Sequence, residues 1–118
     1  MLSGFYRFHG HGSLRYVYRN GNALRSHLVT LKYVKNVHRK HSRFAVVVSK
    51  KVHKSAVGRN RIRRRVYEVV RREIPKFTRI SDVVILVFSS ELISLPAPEL
   101  EEMLHQLFEQ AGLYRPQP

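Results

Sequence analysis

Residues 49–72 read SKKVHKSAVGRNRIRRRVYEVVRR, and the rest of the chain is arranged around this stretch. It carries ten of the 22 Lys and Arg residues and a single acid, Glu68. At helical spacing Ile62, Val66, Val69, Val70 and Ile74 form one stripe, while Asn60, Arg61, Arg64, Glu68 and Arg71 fall on the opposite side. Ser55 supplies an N-cap and Pro75 a stop, which predicts a helix running to about Glu73. One face of that helix packs into a core. The other offers a fork of guanidinium groups, a surface suited to a polyanion.

Working outward, residues 43–49 (RFAVVVS) are almost continuously apolar, which predicts a central strand covered on both faces. Residues 82–88 (DVVILVF) read as a second buried strand. A strand, a long helix and another apolar strand predict a βαβ unit with parallel pairing. Upstream, residues 24–37 alternate with Val29, Leu31 and Tyr33 on one side, a strand preceded by a shorter one near 22–25. Ser13 is expected to cap a short helix over 14–20, with Leu14, Val17 and Tyr18 sharing a face and Gly21 stopping it. Residues 36–42 form a polar turn. Downstream, Pro96 and Pro98 frame the start of a last helix whose stripe is Leu100, Leu104, Leu107, Phe108 and Ala111. Residues 1–12 read as a flexible lead-in and 114–118 as a loose tail. The expected architecture is one α+β domain over 1–118, with a mixed four-stranded sheet and the element order αβββαβα.

The chain has 118 residues, 43% of them apolar, and a formal net charge of +14. Residues 1–67 hold 17 Lys and Arg and no Asp or Glu, while all eight acids follow. An acid-free half implies a partner that supplies negative charge, and a phosphate backbone does so. There is no cysteine, and no apolar run of about 18 residues that would span a membrane. The start lacks the pattern of a signal peptide, so a cytoplasmic protein is expected.

Side-chain hydrolysis needs paired carboxylates, an activated nucleophile or a metal cage. The basic half holds no carboxylate, and Glu68 is expected to pair with Arg64, Arg65 or Arg72. His9 with His11, and His38 with His41, are minimal metal pairs, but without Cys they read as solvated or phosphate-contacting groups. No catalytic residue and no metal site is expected on the protein. Binding is the stronger reading. Arg59, Arg61, Arg63 and Arg64 can each grip phosphate in two-point contacts, and Lys50, Lys51 and Lys54 extend the positive surface. Tyr18, Tyr33 and Phe44 can line a groove where unpaired bases stack, worth about 1–3 kcal/mol per base.

These residues also carry a resemblance. Val48-Ser49-Lys50-Lys51, a short basic link and Ala56-Val57-Gly58-Arg59-Asn60-Arg61-Ile62-Arg63-Arg64 are similar to the protein subunit of bacterial ribonuclease P. Val17-Tyr18-Arg19-Asn20-Gly21 upstream and Asp82-Val83-Val84-Ile85 downstream extend the similarity over roughly residues 14–113. The resemblance implies an α-β sandwich whose arginine helix crosses between parallel strands with left-handed chirality. It implies that Arg59, Asn60, Arg61, Arg63, Arg64 and Lys54 bind the RNA subunit. It places Leu14, Tyr18, Val29, Tyr33, Phe44, Val48, Lys50 and Lys51 in a cleft for the single-stranded 5′ leader of precursor tRNA. It implies that catalysis is RNA-borne and that Mg²⁺ is held by the RNA subunit and substrate, with no obligate protein partner. Four positions depart from the family pattern. Leu14 stands where many members carry Phe, Tyr67 replaces a usual Arg, Arg65 an apolar residue and His53 a common Gly; the Arg65 and Tyr67 exchange suggests a slightly rotated basic face. A general or ribosomal-type RNA-binding protein would use the same surface without a leader groove. A DNA-binding module would lay the arginine helix in the major groove, which a helix embedded in a βαβ unit disfavours.

Overall fold

The long helix is where the sequence places it. In the computed structural model, which describes residues 8, 12–36 and 39–114, α2 spans Ala56–Glu73. The Ser55 side chain caps it by accepting from the Gly58 N–H at 3.3 Å, and Pro75 ends it inside a 3₁₀ turn, Ile74–Lys76. Before α2 come α1 (Gly12–Asn20), β1 (Asn22–Arg25), β2 (Val29–Lys35) and β3 (Arg43–Val48). After it come β4 (Ser81–Val87) and α3 (Ala97–Gln110). The strands form one mixed sheet in the order β1-β2-β4-β3, with β3 parallel to β4 and the other pairs antiparallel. This is the expected α+β order and the expected parallel pairing.

Pairing register sorts the side chains into two faces. Val29, Leu31 and Tyr33 lie level with Val87, Ile85 and Val83, which lie level with Val48, Val46 and Phe44. This face packs against Ile62, Val66, Val69 and Val70 of α2 and Leu100, Leu104, Leu107 and Phe108 of α3. The other face carries the rows Val34–Asp82–Arg43, Lys32–Val84–Ala45 and Thr30–Leu86–Val47. Helix α1 crosses the first two rows, with Val17 fully buried beneath it. Its start is fixed where Arg43 Nη1 donates to Ser13 Oγ at 3.2 Å, its end where Lys32 Nζ donates to the Tyr18 carbonyl at 3.1 Å. Gly21 then turns the chain into β1; a Cβ there would stand 2.5 Å from the Val17 carbonyl oxygen.

Several expectations are corrected. β3 is an edge strand and not a central one. Its apolar run survives at an edge because α2 covers it, and the Tyr67 hydroxyl accepts the outward Val46 N–H at 3.1 Å. Ser13 lies inside α1 rather than capping it, since its hydroxyl serves Arg43. The strand expected over 24–37 spans only 29–35, and the shorter one expected near 22–25 is β1; Ser26 Oγ, accepting from the Leu28 and Val29 N–H groups, divides them. Glu68 pairs first with Arg71 and at 3.8 Å with Arg72, not with Arg64 or Arg65. Tyr114 is no loose tail residue: it bridges to Phe77 and stacks on its ring at 5.3 Å. The expectations for 1–7, 9–11, 37–38 and 115–118, His9, His11 and His38 among them, lie outside the described residues.

The row nearest the start of β4 holds a buried ion pair. Arg43 Nε donates to Asp82 Oδ1 at 2.9 Å and Nη2 to Oδ2 at 2.7 Å, with the side chains only 6% and 5% exposed. Asn36 Nδ2 adds a third bond to Asp82 Oδ2 at 2.9 Å. Removing one partner leaves an uncompensated buried charge, so Asp82→Ala or Arg43→Ala will lower stability by about 3–5 kcal/mol in urea titration. The joint replacement Arg43→Met with Asp82→Leu will recover most of that loss; two single losses that simply add would refute the account.

Candidate nucleic-acid interface

Helix α2 distributes its arginines unequally. Arg61 and Arg64 are exposed, and among the described residues neither has a carboxylate partner. Arg63 donates to the Asn60 side-chain oxygen, which holds both over one turn of the exposed face. Arg59 Nη1 donates to the carbonyls of His53 and Lys54, each at 2.9 Å, so this arginine also clamps the loop that precedes its helix. Lys54 itself is exposed on that loop. Further along, Arg71 and Arg72 are neutralised: a hydrogen bond from Arg71, with the charges of both arginines, holds Glu68 below the usual carboxylate range. Arg72 also meets Glu101 of α3 at 2.6 Å. The uncompensated cations thus concentrate near the start of α2.

Two of the four positions that break the family pattern, Arg65 and Tyr67, serve to hold the helix. Arg65 donates to the carbonyls of Leu92 and Leu95 in the connection between β4 and α3. Tyr67 is buried against β3. Neither joins the basic face, so the expected rotation of that face is not observed. His53 also finds a role. Its Nδ1 accepts from the Ser55 N–H at 3.2 Å, and its ring lies so close to Gly58 that a Cβ there would stand 2.2 Å from it.

On the face of the sheet opposite α2, the row Thr30–Leu86–Val47 lies beyond α1, and Leu86 and Val47 are half-exposed. Leu14 and Tyr18, half-buried on α1, border this open part of the sheet, and Lys50 and Lys51 are exposed just past the end of β3. Burial raises the Tyr18 hydroxyl above the ordinary phenol value, which keeps it a neutral donor. Lys32 Nζ sits 5.6 Å from the Tyr18 ring centroid, a cation under the aromatic face.

Half of the expected cleft residues are elsewhere. Val29, Phe44 and Val48 are 0%, 1% and 6% exposed on the opposite face of the sheet, and Tyr33 packs against the same core. Alternation identifies which residues share a face but not which face meets the helices. In their place the groove has Ala45, Val47 and Leu86, with Phe88, 47% exposed, just past the end of β4. Phe88 is expected inside the buried strand over 82–88, but β4 ends at Val87 and leaves it exposed.

An unpaired arginine face on one side of the sheet and a half-open, cation-rimmed row on the other define a class: basic α+β sandwiches with surfaces suited to a polyanion. The family model described as ribonuclease P matches residues 2–112. The ribonuclease P protein component of Synechocystis sp. is 35% identical over 97 residues, which cover 82% of this chain and 77% of that one. Among solved structures, the Staphylococcus aureus RNase P protein superposes with a TM-score of 0.81 at 19% identity, over 93% of this chain and 98% of that one. The Thermotoga maritima RNase P protein gives 0.78 at 23% identity, over 88% and 96%. These two likenesses support the fold. The chain belongs to the ribonuclease P protein family.

The His53–Gly58 contact makes a test of how the arginine helix is seated. Gly58→Ala alone will destabilise the protein, because the added methyl meets the imidazole. In a His53→Ala background the same change will stabilise by about 0.5–1 kcal/mol, the helix preference of Ala over Gly. Thermal unfolding of the four proteins measures the coupling; equal effects of Gly58→Ala in both backgrounds would exclude the contact.

Proposed function

We propose that this chain is the protein subunit of a ribonuclease P ribonucleoprotein that removes the 5′ leader from precursor tRNA, and that it works in the cytoplasm by binding RNA at two surfaces. Arg61 and Arg64, with Lys54, Asn60, Arg63 and the remaining guanidinium nitrogens of Arg59, contact phosphates of the RNA subunit. Leu14, Tyr18, Ala45, Val47 and Leu86, with Lys50 and Lys51 at the rim, take the single-stranded leader. Val29, Tyr33, Phe44 and Val48 support that groove from within the core. The observation that carries this reading is the pair of exposed arginines, Arg61 and Arg64, that among the described residues have no carboxylate partner, on the helix that Lys50 and Lys51 link to the strand bearing the half-exposed Val47.

The protein's contribution in this reading is electrostatic and positional. RNA subunit and precursor tRNA repel one another, and cations placed between them lower that repulsion while releasing condensed counterions. Tyr18 offers a face on which a leader base stacks, an interaction of about 1–3 kcal/mol. In this reading the described side chains take no part in a metal-assisted hydrolysis. Among the described residues no cluster of three His, Asp or Glu is placed to hold an ion, and Asp82, beneath α1, is closed by Arg43 and Asn36. Mg²⁺ held by the RNA subunit and substrate would supply charge stabilisation and an activated water. No further protein partner is required.

The test is reconstitution. Isolated protein will leave precursor tRNA uncut, and adding cognate RNA subunit will give cleavage at low Mg²⁺. Arg61→Ala with Arg64→Ala will weaken assembly and reduce the slope of log affinity against log salt by about one per lost phosphate contact. Cleavage by metal-supplied protein without RNA would overturn the reading. So would equal affinity of the assembled enzyme for precursor and mature tRNA.

A further inference from the structure

The end of the sheet where β3 and β4 begin, opposite the end that leads into α2, carries a second set of cations. Lys35 ends β2, Arg39 and Lys40 lie in the connection to β3, and Arg79 precedes β4; all four are exposed. Residues 35–42 and 74–80 contain no Asp or Glu. Among the described residues none of these four side chains has an ion pair. The two acids nearby are already engaged: Asp82 is buried with Arg43, and Glu73 is buried with Lys76 Nζ at 3.4 Å.

The loops that bear these cations are knitted together. Ser42 Oγ accepts from the Ser81 N–H at 3.0 Å and donates to the Arg79 carbonyl at 3.4 Å. The Asn36 N–H donates to the Ile80 carbonyl at 3.0 Å, and the Thr78 N–H to the Leu113 carbonyl at 2.9 Å. Lys40 and Arg79 consequently flank a groove of about 290 Å³, shared with Ser42, Pro75, Phe77 and Thr78. Solvated faces mix both signs of charge. Here Lys40 and Arg79 share a groove, Lys35 and Arg39 stand on the strand end and loop tied to it, and among the described residues none of the four has a counter-charge, an arrangement that favours an anionic partner. From Arg61 to the end of α2 is about 20 Å along the helix axis, so one short contact does not cover both sites. Helix α1 lies between this platform and the row Thr30–Leu86–Val47, which separates it from a leader lying in the groove.

We propose that Lys35, Arg39, Lys40 and Arg79 form a second RNA-contact surface, one that takes phosphate backbone of the RNA subunit at a point apart from the α2 contact. The proposal rests on the reading of the chain as a subunit that binds RNA. It adds a second, spatially separate point of attachment, which fixes the orientation of the protein where a single contact leaves it free to pivot.

The experiment measures assembly with the cognate RNA subunit across salt concentrations, without substrate, for wild type, Lys40→Ala/Arg79→Ala, Arg61→Ala/Arg64→Ala and the quadruple variant. Thermal unfolding verifies that each is folded. For Lys40→Ala/Arg79→Ala the salt slope is expected to fall by about 1.8, so the affinity lost between about 50 and 200 mM salt shrinks roughly tenfold. The fold-losses of the two double variants will multiply in the quadruple variant, because the sites share no contact. Wild-type affinity and slope for Lys40→Ala/Arg79→Ala, beside weakened binding of Arg61→Ala/Arg64→Ala, would overturn this inference and leave the proposed function standing. Failure of both double variants to weaken assembly would overturn the proposed function itself. A defect that arises only with precursor tRNA and grows with leader length would assign the platform to the leader, and would equally overturn the RNA-subunit assignment.

Discussion

The two-point bond between Arg43 and Asp82 is the constraint on which the arrangement of the basic half depends. Residues 1–67 contain no acid, so any carboxylate that orders them comes from later in the chain. Asp82 is that carboxylate, and it is buried. A buried charge persists only when paired and fully hydrogen-bonded, and Arg43 and Asn36 provide that. The pair locks the parallel register of β3 on β4, and through Ser13 it fixes where α1 begins. The Phe8 ring, 4.7 Å from the Arg43 guanidinium carbon, draws part of the N-terminal stretch to the same point. With α1 anchored over this end of the sheet, the row Thr30–Leu86–Val47 stays open. The groove is a consequence of where the ion pair sits.

A second set of contacts seats α2, and it explains why a helix with so many arginines presents so few free ones. Arg59 is tied to loop carbonyls, Arg65 to the carbonyls before α3, and Arg71 and Arg72 to Glu68. Only Arg61 and Arg64 remain without a protein acceptor among the described residues of the helix. The guanidinium fork is well suited to this division, because one arginine can bind two carbonyls and still show nitrogens to solvent. Tyr67 adds the register: its hydroxyl meets one amide of β3, so a shift of α2 along the sheet would leave a buried donor unsatisfied, at a cost of about 1–3 kcal/mol.

Much of this arrangement is legible in the amino-acid order alone. The 3.6-residue stripe of α2, its Ser55 cap and its Pro75 stop set the helix, and two apolar runs around it set the parallel pair. What is not legible follows from period-two geometry. In β3 every residue from Phe44 to Val48 is apolar, so the sequence does not say which alternate set meets the helices. Phe44 and Val48, expected in the groove, lie in the core, while Ala45 and Val47 face the groove. Aromatic identity points the wrong way: Tyr33 and Phe44 resemble stacking platforms, yet large rings fill a core well. The edge position of β3 is hidden too, because a hydroxyl twenty-one residues away caps its open side. Arg65 and Tyr67 read as a shifted basic face because charge is visible in sequence and backbone acceptors are not.

The contrast between an acid-free first half and an acid-containing second half becomes, in the fold, a contrast between sides. The acids of α2 and α3 are drawn together: Glu68 and Glu101 meet Arg72, and Glu73 and Glu109 approach His105 at 3.8 and 3.7 Å. The seam between these helices is therefore close to neutral and offers a polyanion little attraction. Among the described residues, uncompensated charge is left at the start of α2, at the loops before β3 and β4, and on α1 and β1 at Arg15, Arg19 and Arg25. Long-range steering acts on this distribution rather than on the net +14, so the field of the protein attracts a polyanion less on the α2–α3 seam than elsewhere. The order of charges along the chain thus sets which side of the protein is the more attractive to a polyanion.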